Sequence, residues 1–267
     1  MKDTELNPLN PNQRRLLQIG VVLILVLFLI GYFFLINRKT TNEPTVHNTS
    51  VYLQDGRLHL FDEVIPEPQY PDKIAMHYPY LLIVKPEQQT TTIYNLNAKK
   101  KEKDVKQILL DYDGQNIFYT KGKSSLFNTQ DLGVLCQYGW IKSNQEVLCV
   151  TQERANSVEN KLISITLPIN TQKDIYSSAN LITTLAIINN IAYVGEINLF
   201  NHKTYMVVDK NPTEVPNVVS MIYTIAGKPY LVSFKSALNK NIENYYLIEG
   251  GKVTKQESDR IYLYKQL

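Results

Sequence analysis

An all-β outer domain, tethered by one apolar helix near the N-terminus, is the architecture this sequence predicts. Three observations predict it. One long apolar run free of charge lies close to the start of the chain. Beyond it, short apolar runs alternate with tight-turn dipeptides as far as the last residues. No stretch after Ile36 sustains the i, i+3, i+4 apolar spacing of a capped helix over about ten residues. The 267 residues are 44% hydrophobic and 20% charged, enough for one sizeable domain or two small ones. Eighteen tyrosines and eight phenylalanines beside one tryptophan suit strands. The 11 Gly and 12 Pro argue against a fibrous or disordered chain. A net charge of +3 is too mild to draw a nucleic acid.

The elements follow in chain order. Residues 1–17, "MKDTELNPLNPNQRRLL", are polar, with Pro8 and Pro11, and read as a short disordered tail. No charge falls between Arg15 and Arg38. The run "IGVVLILVLFLIGYFFLI", Ile19 to Ile36, matches the roughly 20 apolar residues that span hydrocarbon as a helix. The sequence therefore predicts a transmembrane helix over 18–37, with the lipid bilayer as its partner. A cleaved signal peptide has a shorter apolar core and a small-residue cleavage site, and Asn37-Arg38-Lys39 is a poor one. A buried soluble helix is the remaining alternative. Lys2, Arg14 and Arg15 precede the run and Arg38 and Lys39 follow it, which favours the N-terminus inside. The expected placement is single-pass in the cell membrane, N-terminus cytoplasmic, C-terminal domain extracytoplasmic. Residues 38–50 read as a polar linker with a sequon-like Asn48-Thr49-Ser50.

Residues 51–267 carry a repeated grammar: apolar strand, tight turn, apolar strand, polar loop, apolar strand. It pivots on Pro79, Asp113-Gly114, Ser143-Asn144, Asn189-Asn190 and Gly227, at intervals of roughly 30–46 residues. A four-stranded antiparallel sheet cannot bury both faces alone. Stacking several around an axis buries them and leaves only short edges. In "QNIFYTK", Ile117 and Tyr119 point one way and Phe118 the other, and both sets are apolar. "SVYLQDGRLHLFDE" (50–63) is a hairpin turning at Asp55-Gly56, and "RIYLYKQL" (260–267) is a terminal strand. Terminal strands that complete one shared sheet close such a ring. The prediction is a β-propeller-like domain of about six blades, with five or seven as alternatives. A β-sandwich or an α+β fold are the other readings. Lys99–Ile108 reads as a helical turn or a loop.

"YGWIKSNQEVLCV" and "LLDYDGQNIFYTKGKSSLFN" resemble the strand–turn–strand signatures of TolB-like and WD-type propellers. Of these two stretches only the second keeps the usual turn dipeptide, as Asp113-Gly114, and the Trp-Asp and Gly-His signatures are absent. The resemblance covers residues ~50–267 as a pattern and names no family.

Cys136 and Cys149 flank the turn at 142–145. An even pair in an exported domain reads as a disulfide with its register open, against two reduced buried residues. His47, His59, His77 and His202 are scattered, so no metal set is legible. Neither a nucleophile elbow, an H-E-x-x-H, a P-loop nor a G-x-G-x-x-G occurs, so no cofactor is expected. Asp111 and Asp113 form part of a calcium-loop pattern but fit a hairpin turn better. Asp62-Glu63 shows no opposed partner for acid–base work, and the Lys99–Lys103 run is diluted by Glu102. Trp140 reads as core. The functional expectation is a non-catalytic binding or scaffold module for a protein or glycan partner. The alternatives are an envelope hydrolase with an axial active site and an accessory subunit of a membrane secretion or envelope assembly.

Overall fold

The computed structural model describes residues 50–66, 72–152, 159–234, 243–250 and 252–265. The tail, the apolar segment 18–37 and the linker up to residue 49 lie outside them, as does His47. No helix among the described residues is long and apolar enough to cross a membrane.

Six four-stranded antiparallel sheets form a six-bladed β-propeller. Blade I takes β1 (Val51–Gln54), β2 (Arg57–Leu60) and β3 (Glu63–Pro66) from the start of the domain. Blade II holds β4 (Lys73–His77), β5 (Tyr80–Lys85), β6 (Thr90–Asn95) and β7 (Lys100–Val105). Blade III holds β8 (Ile108–Tyr112), β9 (Ile117–Lys121), β10 (Ser124–Phe127) and β11 (Gln130–Asp131). Blade IV holds β12 (Tyr138–Ser143), β13 (Glu146–Gln152), β14 (Asn160–Thr166) and β15 (Thr171–Ser178). Blade V holds β16 (Leu181–Ile188), β17 (Ile191–Ile197), β18 (Thr204–Val208) and β19 (Asn211–Val215). Blade VI holds β20 (Val218–Ile225), β21 (Lys228–Phe234), β22 (Glu243–Glu249) and β23 (Lys252–Lys255). The last strand, β24 (Ile261–Tyr264), returns to pair with β1 and becomes the innermost strand of blade I. The two ends of the domain therefore share one blade.

The five sequence pivots all fall between the first and second strands of a blade. Asn189 and Asn190 both have positive φ, 52° and 63°, as a two-residue primed hairpin demands. Ser143 pairs with Glu146, so that turn is Asn144-Gln145, one residue later than the sequence pattern suggested. Lys100–Val105 is an edge strand paired to β6, where a helical turn or a loop was expected. Its side chains are almost all exposed, so it carries no apolar periodicity by which to recognise it.

Burial follows the two-sided logic. Leu81 and Ile83 pack toward blade I, while Leu82 and Val84 pack toward blade III. Tyr119 joins the cluster facing blade II, and its neighbour Phe118 joins the one facing blade IV. The apolar clusters thus lie between blades and seal each sheet to the next. Gly139 is needed for one such seal: a Cβ there would overlap the Phe118 ring.

Candidate binding site on the propeller axis

Innermost strands β4, β8, β12, β16 and β20 line one axial cavity of 650 Å3. Its walls use the early residues of each strand, such as Lys73, Ile108, Tyr138, Thr183 and Val218. These strands therefore begin at a common end, here termed the entry face. The hairpins at 78–79, 113–116 and 189–190 lie at the other end, the exit face. The alternation of each strand turns apolar side chains such as Ile74, Met76, Leu109 and Met221 into the wall.

The deeper end is crossed by a polar lock. Asp111 Oδ2 receives His77 Nδ1–H at 2.7 Å and the Ile141 backbone N–H at 2.5 Å. Asp111 Oδ1 receives the Tyr112 N–H at 2.8 Å. The His77 ring stacks on Trp140, centroids 4.3 Å apart. Burial opposes protonation of His77, but the hydrogen bond and charge of Asp111, with Asp113 beyond, raise its pKa above the ordinary 6.5. Asp111 is thus saturated by donors from three strands.

Lys73 stands nearer the entry face. It is exposed and lines the cavity, and the protein packed around it lowers its pKa. Its Nζ lies over the Tyr138 ring, 4.8 Å from the centroid. Burial pushes the Tyr138 hydroxyl up to about 12.

The entry face also carries the β17–β18 turn. Phe200 is 85% exposed and Leu199 52%. This turn is held from below. Asn198 Oδ1 accepts the N–H groups of Phe200 and Asn201, and Asn198 Nδ2 donates to Asn180 Oδ1. Asn180 Nδ2 in turn donates to Glu196 Oε2, on a side chain only 1% exposed. Nothing in the apolar pattern singles out this turn, because "NLFN" reads as any polar-flanked loop. The exit face shows Ile169 in the β14–β15 turn, also exposed.

The other sequence candidates separate. Asp113 caps its own turn, accepting from Gln115 N, Asn116 N and Asn116 Nδ2. No group of three metal-ligating side chains occurs among the described residues. Glu63 accepts from the Tyr94 hydroxyl, and Asp62 is exposed in a turn. His59 stacks on Tyr52, and His202 sits in the Phe200 turn. Trp140 lines the cavity as well as packing between blades. Cys136 and Cys149 are joined, Cα atoms 5.3 Å apart. Cys149 pairs in the ladder with Gly139, and Cys136 lies ahead of β12, so the two are not directly opposed.

No family model and no curated protein matches this chain. Solved structures similar to it include a nidogen/laminin complex, at 10% identity and TM-score 0.49, covering 80% of this chain and 95% of that one. The β-propeller domain of Cps50 (Swd1) from Myceliophteria thermophila gives 7% identity and TM-score 0.46, covering 70% and 71%. A chain of the mitotic checkpoint complex gives 9% and 0.42, covering 80% and 78%. Identities of this size say nothing of partners or activity.

Proposed function

We propose that this chain is a membrane-anchored binding module whose propeller lies outside the cytoplasm and offers its entry face to a protein partner. The observation that carries the reading is the Leu199–Phe200 turn, two large apolar side chains held out into solvent by a rigid amide scaffold. Exposed aromatic anchors on pre-organised loops are what protein interfaces use as hot spots. An apolar pair that includes a leucine suits a protein surface better than a glycan. The anchor is the 18–37 segment, supported by its length and lack of charge. It raises the local concentration of the module for other membrane components. The accessory-subunit reading is a special case of this one. The hydrolase alternative would draw on Asp111 and His77, which are already engaged with each other and with backbone.

A photo-crosslinking residue at position 200 in the native membrane, compared with one at 169 on the exit face, tests the partner. A discrete adduct at 200 and none at 169 supports the reading. Equal labelling at both, or none, overturns it. Sodium carbonate washing should leave the full-length chain in the membrane pellet. We further propose that the Cys136–Cys149 bond persists in the cell. Alkylation before reduction should then label neither residue, and labelling of both would refute it.

A further inference from the structure

The axial cavity is independent of the rim turn and has chemistry of its own. Its 650 Å3 falls among small-molecule sites, which run to about 300–1,000 Å3. Most of its wall is aliphatic, and that surface favours an apolar body. A purely aliphatic cavity would select neutral hydrocarbons. This one contains an ammonium. Lys73 is an exposed residue that lines this cavity, and the protein packed around it lowers its pKa. Asp72 borders the same cavity, yet no carboxylate pairs with Lys73 among the described residues. Asp111, the other carboxylate of the wall, has its oxygens occupied by His77, Ile141 and Tyr112. Its charge is answered at the deep end, while among the described residues Lys73 meets the Tyr138 ring face. An ammonium set in an apolar wall offers a charge-assisted hydrogen bond to an anion that enters from solvent. The anion should come with an apolar body, because most of the wall is apolar.

We propose that the axial cavity is a binding site for a small amphipathic carboxylate, its apolar body against Ile74, Met76, Leu109 and Met221 and its carboxylate on Lys73 Nζ. The ligand enters from the entry face and stops at the His77–Trp140 stack.

The chain carries its own reporter, since Trp140 is the single tryptophan of the sequence and lines the cavity. The experiment titrates the full-length protein with 4-phenylbutyrate and with its neutral amide, reading Trp140 emission. The acid should give a saturable change, and the amide should bind about 10- to 100-fold more weakly, the worth of a charge-assisted hydrogen bond. Lys73→Met should reduce the acid to the level of the amide and leave the amide unaffected. Lys73→Arg should keep the preference for the acid. Ligand-free emission of each variant, matched to the parent, shows that the axis is intact. Equal affinity for acid and amide in the parent protein overturns the proposal. So does a Lys73→Met variant that still prefers the acid, or the lack of a saturable response to either probe.

Discussion

Asp111 ties three innermost strands together: its own β8, β4 through His77 and β12 through the Ile141 N–H. Removing it strands a half-buried imidazole and two backbone donors. Asp111→Ala should therefore cost about 3 kcal/mol in a denaturant titration. The pH dependence has a definite sign. His77 is raised by Asp111 and Asp113 and faces the uncharged ring of Trp140, so its contribution is complete below its ordinary 6.5. It is lost as pH rises through the raised value. Melting temperatures taken upward from about pH 6 should fall in the parent and flatten in His77→Gln. Gly139→Ala tests a steric demand instead. Its methyl meets Phe118, which is 0% exposed and has no room to retreat. A loss of about 1–3 kcal/mol is expected, read by the same titration. None of these three roles was legible beforehand. Asp111 looked like part of a turn, His77 was one of four scattered histidines, and nothing in "QYGWIK" shows which side chain arrives from the next blade.

The blade is the element at which sequence patterning works best. Alternating apolar residues in "YLLIV" and "NIFYT" predict a strand buried on both faces, and the two sets do enter different inter-blade clusters. The outer strands follow another rule. In β7, Lys100 and Lys101 are exposed along an open edge, where charge blocks pairing with another chain. Replacing both by Thr should change stability by less than about 0.5 kcal/mol. Self-association measured by light scattering should rise, since Thr favours strands and the edge would lose its repulsion. The Phe200 turn belongs to this scale as well. Asn198→Ala removes the acceptor for two backbone N–H groups. The turn should loosen and crosslinking at position 200 should weaken, with a stability loss of about 1 kcal/mol.

Closure is a property of the whole molecule. β24 supplies Ile261 and Leu263 to the cluster that joins blades VI, I and II. Deleting residues 261–267 should expose that cluster and open an edge along β1. Thermal unfolding should lose its single cooperative transition, and limited proteolysis should cut blade I first. The sequence by itself determined the all-β class, the repeating unit, its turn positions to within a residue, the six blades and the sharing of one blade by the two ends, because these depend on local alternation and on turn residues at fixed spacing. The tertiary structure alone decided the Asp111–His77–Trp140 lock, the cavity and its Lys73. These arise where residues from different blades meet at the axis. Which residues meet there depends on strand register and on the angle between sheets, and neither leaves a periodic trace in the chain.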